Sequence, residues 1–88
     1  MLRITRADTN GAVESLRVEG RLTRDDIARL QHTCAELLEA GARLALDLAG
    51  LQFADREGVA ALRTLRRRGV ALFGASGFVE ALLADPHL

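Results

Sequence analysis

A chain of 88 residues with 49% hydrophobic side chains holds one small domain with enough apolar surface for a core, which excludes an intrinsically disordered segment. Twelve basic residues, all of them Arg, balance twelve acids. The zero net charge argues against bulk electrostatic attraction to nucleic acid or to an anionic membrane. Leu2 and Ile4 alternate with Arg3 and Thr5, which predicts a first strand with one buried face. Asn10-Gly11 is a hairpin turn signal, because both residues tolerate positive φ. A second strand is expected over 12–19, with Leu16 and Val18 apolar and an alternation loose enough to admit a bulge.

Thr23 followed by Asp26 reads as a variant capping box that opens a helix over 23–40. Ile27, Leu30, Cys34, Leu37 and Leu38 recur at helical spacing along it, and Gly41 ends it. A third strand follows over 42–49, with Leu44, Leu46 and Leu48 on one face. Residues 50–54 read as a short loop. A second helix over 55–68 carries Val59, Leu62 and Leu65 as its buried stripe and stops at Gly69. Val70–Phe73 is the fourth strand, Gly74 to Gly77 a turn, 78–83 a short helix and 85–88 a tail. The expected fold is therefore a small α/β domain: a mixed four-stranded sheet with helices packed against it, in the order ββαβαβα, spanning 1–88.

With a single cysteine, Cys34, no internal disulfide can form, and a reducing compartment fits. No run of about 18 apolar residues is present, so nothing inserts in a membrane. The alternating N-terminus is unlike a signal peptide. A cytoplasmic location is expected. His32 and Cys34 stand two apart on a helix and point to different faces, so they cannot act as a pair. No metal cluster, nucleophile–base pair or poised carboxylate pair emerges, so neither an enzyme nor a cofactor is expected.

Three segments converge beyond the carboxyl ends of the expected parallel strands, where open sheets gather ligands and partners: 20–23, 50–58 and 74–77. The middle one is richest. Asp55 suits the N-cap of the second helix, Glu57 suits its first turn, and Gly58 leaves a flat approach for another backbone. The second helix sets five Arg (56, 63, 66, 67, 68) against Asp55 and Glu57, a local charge of +3. Three of those Arg fall in the last turn, where the dipole favours cations; an acidic partner is the alternative reading. The first helix carries a local −2, so the two helices could support a homodimer.

The corner resembles the conserved motif of the STAS family, the domain of bacterial anti-sigma-factor antagonists. The resemblance spans nearly the whole chain: the opening hairpin, Leu46-Asp47-Leu48, Phe53 before Asp55, Gly58 in the second helix, and the Gly74 to Gly77 turn before a last short helix. In that family the corner is typically Asp-Ser-Ser-Gly. A kinase that is also an anti-sigma factor phosphorylates the serine before the glycine, and the unmodified form captures the kinase and frees the sigma factor. Here the corner reads Asp55-Arg56-Glu57-Gly58, with Glu57 at the acceptor position, so that phosphorylation cannot occur there. Glutamate carries one negative charge against about −1.5 to −2 for phosphoserine. Two opposite consequences stay open: exclusion of a kinase of the usual type, or constitutive binding of another partner.

The resemblance implies a non-catalytic transcription-regulating interaction module. Its partner would be an anti-sigma factor or kinase, or else a component of an ABC-type lipid transport complex. The expected docking surface comprises Thr23, Asp55, Arg56, Glu57, Gly58, Ala60 and Arg63. A reading of another class takes Gly74, Ser76 and Gly77 as an anion or nucleotide sensor, although the turn lacks the Lys and spacing of a P-loop and Ser76 is equally a helix cap.

Overall fold

The computed structural model describes residues 2–7 and 13–84. Strand β1 (Leu2–Arg6) pairs antiparallel with β2 (Val13–Leu22), from Leu2 opposite Gly20 to Arg6 opposite Leu16. The Asn10-Gly11 turn expected between them lies outside the described residues. Strand β2 runs to Leu22 rather than stopping near residue 19, because its far end finds a partner of its own. Helix α1 (Arg24–Glu39) then returns the chain to β3 (Arg43–Asp47), which lies parallel to β2 with Leu16 opposite Leu46.

The segment read as a loop is strand β4 (Leu51–Ala54). After a turn closed by the Leu48 carbonyl accepting from the Leu51 amide (3.0 Å), β4 pairs parallel with the last residues of β2. A register shift between Gly20 and Arg21 accommodates the join. Helix α2 (Arg56–Arg67), β5 (Ala71–Phe73) parallel to β3, and helix α3 (Gly77–Ala84) complete the chain. The sheet thus has five strands, in the order β1-β2-β3-β5 with β4 paired to β2. The small mixed α/β fold stands as read, and the strand count rises by one. Four residues are too few for hydrophobic alternation to separate a strand from a loop.

Leu16, Val18 and Leu22 of β2, Leu44 and Leu46 of β3, and Leu48 and Leu51 around the turn are all buried. Leu30 and Cys34 of α1 and Val59, Leu62 and Leu65 of α2 close over them. Both long helices end in the same hydrogen-bonded motif. Ala42 donates to the Leu37 carbonyl (3.2 Å) and Val70 to the Leu65 carbonyl (3.1 Å), across Gly41 (φ 86°) and Gly69 (φ 98°). Only glycine takes that conformation cheaply, which is why these two positions stop the helices. Burial raises the Cys34 thiol to a pKa of about 11, partly countered by the Arg68 charge, so it is a core thiol and not a nucleophile.

Candidate functional site

Strands β2 and β4 run parallel and leave the sheet at the same level, Leu22 opposite Ala54. Each then opens a helix within two residues, so the N-termini of α1 and α2 stand side by side. The Asp55 amide donates to the Leu22 carbonyl (3.0 Å), continuing the strand pairing into the helix start. The Asp55 carboxylate serves both helices. Oδ1 accepts from the Gly58 amide of α2 (2.7 Å), and Oδ2 accepts from the Arg24 amide of α1 (2.9 Å). Free amides at helix starts need such acceptors.

This dual role explains why Thr23 does not form the expected capping box. Thr23 sits at the N-cap in extended conformation, but its side chain caps no amide; its hydroxyl donates to Asp26 Oδ2 (3.3 Å). Asp55, from a distant part of the chain, supplies the acceptor that α1 lacks locally.

Gly58 is buried, and the backbone that approaches it is the chain's own. A Cβ there would stand 2.7 Å from the Leu22 carbonyl oxygen and 3.0 Å from Leu22 Cγ. The expectation that Gly58 keeps a surface flat for a partner is therefore corrected: glycine lets α2 pack on the end of β2. Arg63 is also placed differently from expectation. It is half-buried, and its guanidinium donates from Nε and Nη2 to the Leu83 carbonyl (3.0 and 2.8 Å) and from Nη2 to the Leu82 carbonyl (3.2 Å). It closes the C-terminal end of α3 instead of facing outward as a docking group.

Around the interlocked core of the corner, Arg56, Glu57 and Ala60 are exposed. Thr23, Arg24, Asp25, Asp55, Arg56 and Glu57 line an open depression between the two helix starts. Arg24 Nε stands 3.6 Å from Glu57 Oε2 across it. Arg24 escaped notice in the sequence; the signal was its position directly after Thr23, at the start of a helix destined to lie beside α2. Nearby on the sheet, the Arg21 guanidinium lies over the Phe53 ring, 4.7 Å from its centre.

The Gly74 to Gly77 turn is built for its own helix. The Ser76 hydroxyl accepts from the Val79 amide (3.3 Å) and the Ser76 carbonyl from the Glu80 amide (2.8 Å). Gly74 lies against Asp47, whose Oδ1 would be 2.9 Å from a Cβ at that position. An acid bordering the turn repels an anion. Among the described residues, no group of three or more His, Cys, Asp or Glu side chains gathers as a metal site.

None of the curated proteins matches this sequence. Solved structures share the fold, two of them as follows. One is the anti-sigma factor antagonist SpoIIAA in its unphosphorylated form, with a TM-score of 0.72 and 16% identity, covering 91% of this chain and 80% of that one. The other is an antisigma-factor antagonist STAS domain from Rhodobacter sphaeroides, with a TM-score of 0.57 and 22% identity, covering 86% and 92%. The family model described as "Mlab, STAS domain" matches residues 5–85, and with the antiparallel β1–β2 pair, the parallel crossovers and the Asp55 corner all in place the chain belongs to the STAS-domain family.

Proposed function

We propose that the domain is a non-catalytic regulatory module that captures a protein partner at the corner between α1 and α2. The observation that carries this reading is the division of labour there. Asp55 and Gly58 are consumed in holding the two helix starts together, which leaves Arg56, Glu57 and Ala60 presented on a rigid base. Rigid presentation lowers the ordering cost of association. A kinase-type anti-sigma factor is the partner class that the family resemblance favours, with Glu57 standing where a phosphoacceptor would be.

The test is an affinity pulldown from native extract with wild type, Glu57→Ser and the surface pair Arg56→Glu/Ala60→Arg. Capture by wild type that the surface pair abolishes supports a constitutive binder. Capture of a kinase-type protein by Glu57→Ser alone supports Glu57 as a permanent off state. Equal capture by all three places the contact elsewhere and overturns the proposal.

One observation favours a second reading, a permanent subunit of an ABC-type lipid transport complex. Glu57 cannot be phosphorylated and is already paired with Arg24, so the corner lacks the switch that a reversible antagonist uses. A partner that co-purifies stoichiometrically through gel filtration and carries an ATPase domain supports that assembly over the kinase.

A further inference from the structure

The other end of α2 is unlike the corner. Arg66, Arg67 and Arg68 follow one another at its C-terminus, and all three are exposed. The sheet adds a fourth guanidinium. Strands β3 and β5 pair with Ala45 opposite Ala71, and continuing that parallel register by two residues puts Arg43 level with Gly69, the residue after Arg68. Arg43 is exposed as well, and across β2 it is opposite Val13, one of the exposed aliphatic residues. Among the described residues, none of these four guanidiniums has an ion-pair partner within 4.0 Å; Arg3, Arg21 and Arg56 also lack one, but they do not stand in a row as Arg66, Arg67 and Arg68 do. The helix dipole accounts for a cation at this end, but not for three in succession and a fourth on the neighbouring strand.

We propose that this end of the domain docks peripherally on an anionic phospholipid surface. Successive helical residues point about 100° apart, so the three arginines splay around the axis instead of lining one side. A rigid partner lying alongside the helix meets one or two of them. A planar charged surface met end-on meets them all, with Arg43 and Val13 beside them; the exposed Glu39 that ends α1 at this side offsets one of the four charges and leaves the arginines in excess. Guanidinium groups bind phosphate oxygens through paired hydrogen bonds. The zero net charge of the chain is compatible with this, because the attraction falls off within a Debye length and is set by the nearest charges. No helix among the described residues is long and apolar enough to cross a membrane, so the contact is superficial. Docking this way turns the α1–α2 corner away from the lipid, because it lies at the opposite end of α2.

The experiment is co-sedimentation of the full chain with vesicles of phosphatidylcholine containing phosphatidylglycerol, beside vesicles of phosphatidylcholine alone. The expected result is association with the anionic vesicles only, weakening as sodium chloride is raised. Arg66→Gln/Arg67→Gln is expected to lower the partition coefficient about thirtyfold, since each neutralised charge near the surface is worth roughly fivefold. Arg3→Gln, a neutralisation at the far end of the sheet, is expected to leave it within about twofold, because that charge lies beyond the screening distance. Four outcomes overturn the proposal: no association, equal association with both vesicles, equal loss on Arg3→Gln, or tighter binding to a soluble polyglutamate peptide than to the anionic vesicles. The last would assign the same end to an acidic protein partner.

Discussion

The two ends of helix α2 carry similar densities of charge and use them in opposite ways. At the N-terminus both Asp55 oxygens are committed to backbone amides, one on each helix, and Glu57 faces Arg24. At the C-terminus three arginines follow one another without an acid partner among the described residues. A motif-like residue can thus have both its carboxylate oxygens committed to the fold, as Asp55 has, while a stretch that reads as mere solvation keeps its charge available. What distinguishes them is whether the fold has already supplied a partner. Sequence identity alone does not decide that.

The largest effect that tests this contrast is expected at Asp55. Asp55→Ala strips the acceptor from two helix starts at once and should cost about 2–3 kcal/mol, against about 1 for a single typical cap. Urea denaturation measures it, and a loss below about 1 kcal/mol would mean that water replaces the carboxylate and the corner is not interlocked. Gly58→Ala comes next. A methyl group pressed toward the Leu22 carbonyl forces α2 off the end of β2. About 1–2 kcal/mol should remain after alanine's better helix propensity is credited. A neutral or stabilising result would show that the close approach relaxes freely.

Much of this was legible in the sequence. Period-two and helical apolar patterns located β1, most of β2, α1, β3 and α2, because each buries one face, while Gly69 and the Gly74 to Gly77 turn bracketed β5 and α3. Gly41 and Gly69 marked two helix ends because only a positive φ completes their motifs. What escaped depends on contacts between distant segments. Strand β4 is recognisable only beside β2, the cap of α1 comes from Asp55 thirty-one residues away, and the crowding at Gly58 comes from Leu22. Arg63 belongs with these. Its spacing on α2 is that of an exposed arginine, and nothing local reveals that the C-terminus of α3 ends under its guanidinium.

Arg63 therefore yields the next prediction. Arg63→Ala should remove the donors on the Leu82 and Leu83 carbonyls and weaken α3 by about 1 kcal/mol, the lower range for hydrogen bonds from a charged group that is partly solvated. Because α3 is only eight residues long, the loss should appear first as faster amide hydrogen exchange in 77–84, with α1 and α2 unchanged. Arg63→Lys should restore only part of it, since one ammonium lacks the planar fork that serves both carbonyls. Uniform acceleration across all helices would mean that α3 unfolds only with the whole domain.

The smallest effect should come from the most family-specific residue. Glu57→Gln keeps the shape of the side chain and removes the charge that faces Arg24. The pair is 3.6 Å apart with side chains 53% and 72% exposed, a geometry in which solvent screens most of the attraction. Loss of the acid from the first turn also weakens its interaction with the helix dipole. Together these should cost no more than about 0.5 kcal/mol. A loss above about 1 kcal/mol would make Glu57 a third structural member of the corner beside Asp55 and Gly58, and would remove the reason to regard its carboxylate as presented outward. If Glu57→Gln leaves melting and urea midpoints in place but changes partner capture, the charge at position 57 acts on the partner and not on the fold. The corner would then divide as its geometry suggests, with Asp55 and Gly58 holding the platform and Glu57 read from outside.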